Sequence, residues 1–284
     1  MSMTAVLFTK PFGDRPAETI AEAVTELGFD GVDLLIRPGF LVTPDNPAMI
    51  GRTVATLARN GVPVPIATTD LTDPAAFPVD AVLGACVEAG IRSVRLGYWR
   101  YDGSRPYRDV FDEARRQLDA LESIAARFGV TLTLQLHGGT IHSSGALALR
   151  LLAGRNPDQI GAYVDPGNQV VQDGHEGWRL TFDLLQPWLR CVGVKNGGWA
   201  PAGLHPSGQR LWTADWLGVP DGCAPWHEIV AYLVESGYAG PLSFHSHYEV
   251  PLPQVLDQTR TDLRFIRRLA LPEAALRAMP GSPG

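Results

Sequence analysis

Cysteine is scarce in this sequence. Its 284 residues include 3 cysteines, Cys86, Cys191 and Cys223, and no C-x-x-C pair. An odd number of widely spaced thiols argues against a disulfide framework and against a cysteine zinc site. The first residues also lack the basic segment followed by a sustained apolar stretch that a secretory signal has. Both features predict a cytoplasmic protein with reduced, buried thiols.

Long apolar runs and clusters of basic residues are also missing. No stretch approaches the roughly 18 apolar residues that a membrane-spanning helix needs, so we expect no membrane partner. The formal net charge is −6 and no run of Lys or Arg occurs. A protein that binds DNA or RNA normally presents a basic face to the phosphates, so we expect no nucleic-acid partner. The acidic net charge does not exclude a small phosphorylated ligand, because a few local basic residues can bind one phosphate.

No G-x-G-x-x-G motif follows the first apolar strand, which removes the main signal for a dinucleotide-binding fold. The sequence instead alternates short apolar runs with longer helical patterns. Several runs are almost continuously apolar, such as TLTLQL, as expected of parallel strands that are covered on both faces. The strand candidates are Ala5–Thr9, Gly31–Ile36, Val62–Thr68, Ile91–Leu96, Val130–Leu136, Ile160–Asp165, Cys191–Lys195 and Pro241–Phe244.

Between these strands, apolar residues recur at helical spacing. The clearest helix candidates are Pro16–Leu27, Tyr107–Phe128, Trp226–Ser236 and Leu252–Leu269. Strands that alternate with helices indicate a parallel sheet, and eight such units favour closure into a barrel. We therefore predict an α/β protein, a single (β/α)₈ TIM barrel over residues 1–270, followed by a C-terminal tail over residues 271–284.

The segment Gly197–Ala224 is the longest predicted connection. It is rich in Gly and Pro and contains three tryptophans, Trp199, Trp212 and Trp216. Loops of this length inside a compact domain are usually lids or binding loops. A surface excursion held by its own tryptophans is the alternative.

Each predicted strand ends in polar side chains, which is where the catalytic residues of (β/α)₈ barrels lie. Arg95, Gln135 and Asp165 interrupt runs that are otherwise apolar. Burying such groups costs several kcal/mol unless they find partners, so we expect them to form a site. In strand order, the polar residues are Lys10, Arg37, Thr69 with Asp70, Arg95, Gln135 with His137, Asp165 with Asn168, Lys195 with Asn196, and His245 with His247.

Two uses of these polar residues are open. Carboxylate, imidazole and amide oxygen atoms are suitable ligands for Mg²⁺, Mn²⁺ or Zn²⁺. Alternatively, Arg37, Arg95, Lys195 and Asp165 form a salt-bridged core that binds the hydroxyls or the anion of a ligand directly.

Aromatic and histidine residues outside the strand ends are less specific. Tyr98 and Trp99 follow the fourth strand, where an aromatic face suits either sugar stacking or ordinary packing. His142 lies in a predicted loop, where a solvated or capping side chain is the commoner case.

Five segments, spread in order over nearly the whole chain, resemble the sugar-phosphate isomerase/epimerase family, also called xylose-isomerase-like TIM barrels. The motifs GFDGVDL and GYAGPLS are specific for this family, although they do not identify a substrate. The segments are Glu26–Gly39, Leu134–Thr140, Tyr163–Gly174, Val192–Trp199 and Glu235–Glu249.

The resemblance implies one divalent metal, held by a Glu of strand 5, an Asp of strand 6, a His of strand 7 and a Glu of strand 8. Only the Asp matches, at Asp165, because the other three positions hold Gln135, Gly193 and His245. Glutamine cannot act as a general base, so a mechanism that uses two carboxylates does not transfer to this chain. The sequence looks closer to a branch with R-P-G after strand 2, Q-x-H on strand 5, K-[DN] on strand 7 and S-x-H at the end of strand 8.

The first functional hypothesis is an isomerase, epimerase or related lyase that acts on a sugar or keto-sugar. A divalent ion, held by Asp165, His245 and more weakly by Gln135, polarises a carbonyl and stabilises an enediolate. Lys195, His137 or His247 moves the proton. The substrate contacts are Arg37, Arg95, Asn168, Asn196, Trp99 and Trp199.

The second hypothesis is a metal-free sugar-binding or regulatory barrel that has lost its catalytic carboxylates. The residues Gln135, Gly193 and His245 favour it. A DNA-repair endonuclease with the same fold is disfavoured, because it needs several zinc ligands and a basic surface. The resemblance also implies a homodimer, since barrels of this family often pair.

Overall fold

The computed structural model describes residues 3–173, 175–246 and 248–271. Eight parallel strands close into a barrel in the order β1-β10-β7-β6-β5-β4-β3-β2, and β1 pairs with both β10 and β2. The barrel strands are β1 (Thr4–Phe8), β2 (Gly31–Leu35), β3 (Ile66–Thr68), β4 (Ser93–Arg95), β5 (Thr131–Gln135), β6 (Ile160–Val164), β7 (Leu189–Val194) and β10 (Pro241–Phe244). The predicted (β/α)₈ fold is confirmed.

Helices surround the barrel and cover its outer face. Their buried residues recur every three or four positions, as in α4, where Val110, Ala114, Leu118 and Leu121 face inward. The helices are α1 (Ala17–Leu27), α2 (Ala48–Arg59), α3 (Val79–Glu88), α4 (Tyr107–Phe128), α5 (Gly145–Leu152), α6 (Pro166–Val171), α7 (Trp178–Leu185), α8 (Trp226–Glu235) and α9 (Leu252–Leu269). No helix in the described part of the chain is long and apolar enough to cross a membrane.

The third strand is shorter than the sequence pattern predicts. It begins at Ile66 instead of Val62. Pro63 and Pro65 have no backbone N–H to donate to a neighbouring strand, so the ladder starts only after the second proline. The backbone carbonyl of Pro63 still accepts a hydrogen bond from the amide of Val32, at 3.0 Å, which holds this segment beside β2.

A small apolar cluster fills the barrel interior, apart from the main core between the barrel and the helices. It consists of Val6, Ile66, Tyr163 and Cys191, all fully buried. Phe8 follows Val6 by two residues, so both side chains lie on the inner face of β1. The buried polar residues Ser243 and Asp33 are the register partners of Val6 and Ile66, so the cluster lies next to polar groups.

The segment Gly197–Ala224, predicted as the longest connection, contains most of a hairpin. Strands β8 (Asn196–Leu204) and β9 (Arg210–Leu217) pair antiparallel in a separate two-stranded sheet. At its turn, the amide of His205 donates to the carbonyl of Gln209 at 2.8 Å. Most side chains of this hairpin are exposed, so its backbone ladder and not a core sets its shape.

Candidate functional site

A cavity of about 450 Å³ lies at the carboxyl ends of the barrel strands. Its lining side chains come from the ends of different strands, because a closed parallel barrel delivers all of these ends to one face. Lys10 follows β1, Arg37 follows β2 and Lys195 follows β7. The full lining is Phe8, Lys10, Arg37, Asp70, Thr72, Phe77, Arg95, Tyr98, Arg100, Gln135, His137, Lys195 and His245.

Asp165 is the buried acceptor around which the cavity floor is organised. Its Oδ2 accepts a hydrogen bond from Nε2 of Gln135 at 2.7 Å and lies 3.2 Å from Nζ of Lys195. Its Oδ1 accepts from the backbone amide of Asn168 at 3.0 Å, so Asp165 also caps α6. The hydroxyl of Tyr98 donates to Oε1 of Gln135 at 2.7 Å, which fixes the orientation of the amide.

Lys195 is buried, with its ammonium group between Asp165 and an indole ring. Its Nζ lies 4.9 Å from the ring centroid of Trp216, a residue of the hairpin. Burial lowers the pKa of Lys195, the carboxylate of Asp165 opposes this shift, and the nearby charges of Lys10 and Arg95 lower the pKa further. Trp216 was not among the predicted site residues, because the sequence does not show which residue of the hairpin folds back over the barrel.

A second group of buried polar side chains surrounds His245. The ring of His245 stacks on Phe8 at 4.2 Å between centroids. Its Nε2 lies 2.6 Å from the hydroxyl of Tyr163 and 3.7 Å from Oδ2 of Asp33. Asp33 accepts a further hydrogen bond from the hydroxyl of Ser243, at 2.8 Å. Burial lowers the pKa of His245.

Sequence reasoning missed Asp33 and Tyr163, although a signal for Asp33 existed. Asp33 is the only charged residue in GVDLL, a strand whose residues are all buried. A carboxylate in such a strand must find partners inside the barrel. Tyr163 gave no comparable signal, because tyrosine is common in strands.

His137 faces the cavity as a neutral imidazole. Burial lowers its pKa to about 4, despite the hydrogen bond to the Gly138 backbone. Its Nδ1 lies 2.7 Å from the carbonyl oxygen of Gly138, an acceptor, so the proton of the neutral ring is on Nδ1. Its Nε2 makes only a long contact of 3.5 Å with Nε2 of Gln172. The Nε2 atom therefore carries the lone pair that can accept a proton.

Arg37 and Arg95 line the cavity as predicted, but the structure does not bring the two predicted asparagines to it. Asn168 donates from Nδ2 to the carbonyl of Leu136 at 2.7 Å. Asn196 donates to the carbonyls of Val219 and Ala224, at 2.8 and 3.0 Å. Both amides hold backbone segments in place, and neither residue is part of the cavity lining.

The two predicted tryptophans are also away from the cavity lining. Trp99 is 6% exposed and packs in the core, with its Nε1 donating to Gln117 at 2.6 Å. Trp199 is 45% exposed on β8 and donates to the carbonyl of Val170. The aromatic residues that line the cavity are Phe8, Phe77 and Tyr98. Predicted His247 lies outside the described residues.

His142 is fully buried, which corrects the expectation of a solvated or capping residue. Its Nδ1 lies 3.0 Å from the carbonyl oxygen of Gln135, and its Nε2 has no partner among the described residues. Burial lowers its pKa to about 3, so the ring is neutral.

The three predicted metal ligands are already held by hydrogen bonds and ion pairs with other side chains. Asp165 faces the ammonium group of Lys195 and the amide N–H of Gln135, both of which are donors and cannot ligate a cation. His245 pairs with Tyr163 and Asp33. Across the described ranges, no three His, Cys, Asp or Glu side chains are grouped to hold a metal ion. The donor set therefore does not fit a divalent ion.

Gly193 reinforces this conclusion. The resemblance places a metal-ligating His at this position, yet a Cβ atom on Gly193 would lie 2.8 Å from Oδ2 of Asp165 and 3.1 Å from the ring of Tyr163. A larger side chain has no room there in the present arrangement.

Comparisons with known structures agree with this architecture. A xylose isomerase-like TIM barrel protein from Mycobacterium smegmatis, solved in complex with magnesium, superposes with a TM-score of 0.70 at 17% identity, over 95% of this chain and 98% of that chain. A 3-keto-D-glucoside 4-epimerase from E. coli superposes with a TM-score of 0.70 at 15% identity, over 94% and 99%. D-psicose 3-epimerase from Clostridium cellulolyticum H10 gives 0.70 at 12%, over 95% and 100%.

At these identities the structural likeness shows the fold alone. A search of curated proteins by sequence gave no significant match. The model of one family, described as the xylose isomerase-like TIM barrel, matches residues 21–269. Together with the closed barrel and the cavity at its carboxyl face, this match shows that the chain belongs to the xylose isomerase-like TIM barrel family.

Proposed function

We propose that this chain is an isomerase or epimerase of a keto-sugar or a keto-sugar derivative, and that it works through an enediolate held by its own cationic side chains. The observation that carries the proposal is that a buried ammonium group, Lys195, and an imidazole, His137, line the same cavity. The names of the E. coli and Clostridium structural neighbours, both sugar epimerases, support the same class of reaction.

In this proposal, Nε2 of His137 takes a proton from the carbon beside the substrate carbonyl. The electron pair of the C–H bond forms the C=C bond of the enediolate, and the π pair of the carbonyl moves to its oxygen, where negative charge develops. The ammonium group of Lys195 donates a hydrogen bond to that oxygen, and in a buried site such a donor stabilises the developing charge strongly. The imidazolium of His137 then returns the proton to the former carbonyl carbon, while the proton of the neighbouring hydroxyl passes to the former carbonyl oxygen, which completes an isomerisation.

The ammonium group of Lys195 is positioned by a series of side-chain contacts through Asp165, Gln135 and Tyr98. The hydroxyl of Tyr98 holds Gln135, Gln135 donates to Asp165, and Asp165 pairs with Lys195. Because the donor set does not fit a divalent ion, each step uses a side chain of the cavity. The metal-assisted mechanism expected from the family resemblance is not part of the proposal.

Solvent deuterium exchange tests the proposal and does not require the product to be identified. The protein is incubated in D₂O with a panel of ketoses, ketose phosphates and keto sugar acids, and NMR follows deuterium entering the carbon beside the carbonyl. We expect exchange with at least one compound, and a rate lower by about a hundredfold in His137→Gln, since a general base typically contributes that much or more. His205→Gln, an exposed position on the hairpin turn, is the matched control.

Chelation separates the two mechanisms. We expect exchange to persist in EDTA. Loss of exchange on chelation, restored by Mg²⁺ or Mn²⁺, would overturn the role given to Lys195.

The second candidate function is a metal-free sugar-binding or regulatory barrel. It is favoured by the same departure from the family pattern, since Gln135 and His245 stand where the resemblance expects glutamates. A panel compound that binds by calorimetry but shows no deuterium exchange would favour this candidate over the enzyme.

A further inference from the structure

Positive charge dominates the cavity. Five of its lining side chains are cationic, and the lining includes a single carboxylate, Asp70. Asp70 is fully engaged by Arg37, with Nε–Oδ2 and Nη2–Oδ1 distances of 2.6 Å each. Lys195 is paired with Asp165 below it. The positive charges of Lys10, Arg95 and Arg100 are not neutralised by either of these carboxylates.

Of these three cations, only Arg95 is buried. Its side chain is 2% exposed, at the end of β4. One nitrogen, Nη1, donates to the carbonyl of Leu96 at 2.8 Å, and the guanidinium lies 4.6 Å from the ring centroid of Tyr98. Its Nε is buried without a hydrogen-bond partner, and none of the ion pairs found among residues 3–173, 175–246 and 248–271 includes Arg95.

A buried guanidinium without an anion is unfavourable, because arginine cannot release its proton at any physiological pH. A buried charge that lacks a partner destabilises the folded state strongly. In this fold Arg95 lines a cavity that a ligand can enter. An anion bound there would supply the missing partner through charge-assisted hydrogen bonds.

Two exposed cations extend the same positive field to the cavity mouth. Arg100 lies 5.5 Å from the ring centroid of Tyr98, so Arg95 and Arg100 both approach that ring. Lys10 follows β1, and partial burial together with the charges of Arg37 and Arg95 lowers its pKa. A lining of this kind concentrates anions and disfavours free cations.

We infer that the ligand of this cavity is an anionic sugar, whose carboxylate or phosphate group binds Arg95 with support from Lys10 and Arg100. This inference rests on the proposed function for the sugar part of the ligand. A neutral sugar would leave the Arg95 charge without a partner, so it would bind more weakly than its acid or phosphate form.

Binding measurements without turnover test the inference. The full-length protein is titrated by calorimetry with inorganic phosphate, gluconate, fructose 6-phosphate and fructose, at low and at high salt. We expect the phosphorylated sugar or the sugar acid to bind at least about tenfold more tightly than fructose, with an affinity that falls as salt rises. The gluconate and phosphate arms distinguish a carboxylate from a phosphate ligand.

Two variants locate the anion. Arg95→Met should lower the affinity for the anionic sugar about tenfold or more. Arg100→Met removes a positive charge of the cavity lining at an exposed position, where loss of folding is not expected. It should weaken binding of the anionic sugar by a smaller factor. Arg108→Met, at a side chain that is 89% exposed on α4, is the matched control and should bind as the wild type does.

Equal affinity for fructose and the anions, or unchanged affinity in both Arg95→Met and Arg100→Met, would overturn the inference. Its failure is distinct from that of the proposed function. Anion binding without deuterium exchange leaves the inference standing and removes the enzyme, whereas exchange on neutral ketoses without anion binding does the reverse.

Discussion

Asp165 keeps its predicted place at the end of a barrel strand, but its neighbours change what it can do. The sequence shows an aspartate where the family resemblance expects a metal ligand. In the folded chain that carboxylate accepts from Gln135 and pairs with Lys195. Gln135 was predicted to be a weak ligand, yet its amide N–H points at the carboxylate. The chemistry of the site therefore depends on which donors reach Asp165, which no single strand encodes.

A prediction at the residue scale concerns stability and pH. His142 is neutral in the folded protein because burial lowers its pKa to about 3, whereas an unfolded histidine has a pKa of 6.5. Below pH 6.5 the unfolded chain binds the extra proton, so the free energy of unfolding falls as pH falls. The slope from one such residue approaches about 1.4 kcal/mol per pH unit.

Urea denaturation between pH 7 and pH 4.5 measures this slope. We expect His142→Gln, whose amide can still donate to the Gln135 carbonyl, to lose stability less steeply than the wild type as pH falls. His227→Gln, an exposed histidine, should keep the wild-type slope. Identical slopes in all three proteins would show that His142 is not the group responsible.

At the scale of elements, the hairpin β8–β9 is where sequence and structure differ most. Its length and its tryptophans predicted a lid or a binding loop, and its backbone forms an antiparallel ladder with a register shift between Pro201 and Gly203. Asn196 holds the base of this hairpin, because its Oδ1 accepts from the amides of Gly197 and Ala224 while its Nδ2 donates to two carbonyls. Trp216 connects the hairpin to the cavity through its contact with Lys195.

We expect Asn196→Ala to lower the free energy of unfolding by about 2–4 kcal/mol. The substitution removes four buried hydrogen bonds and leaves two backbone carbonyls and two backbone amides without this partner. Chemical denaturation followed by circular dichroism measures the loss. Thr213→Ala, at an exposed position of β9, serves as the control and should change stability by less than about 0.5 kcal/mol. A loss below about 1 kcal/mol in Asn196→Ala, the value of a single hydrogen bond, would contradict the clamping role.

At the scale of the whole molecule, the hairpin also presents apolar side chains to solvent. Leu204, Leu211 and Trp212 are 61%, 42% and 58% exposed. Exposed apolar groups that lie together commonly mark an interaction surface. The homodimer implied by the family resemblance stays a prediction, and this surface is where we place it.

Light scattering after size exclusion tests that placement. We expect a dimer for the wild type and a shift towards monomer in the double variant Leu204→Ser and Trp212→Ser, since the change removes apolar area from the contact. The exposed pair Leu180→Ser and Val234→Ser, on helices away from the hairpin, is the control. A wild type that is monomeric at all concentrations would refute the prediction.

The sequence by itself determined the barrel. Alternating apolar strands and amphipathic helices are local patterns that can be read from the sequence. Few folds other than a helix-covered parallel sheet bury both faces of such strands. The same reasoning placed Arg37, Arg95, Gln135, Lys195 and His245 at the carboxyl face, where all of them line the cavity.

Only the tertiary structure decided which of these side chains meet. Asp165 pairs with Lys195 across neighbouring strands, and Asp33 meets Ser243 although they are 210 residues apart in sequence. Such pairings depend on barrel register and on side-chain orientation, which no local pattern contains. Because of these pairings, Asp165 is surrounded by hydrogen-bond donors and not by metal ligands. They also leave Arg95 buried without an anion.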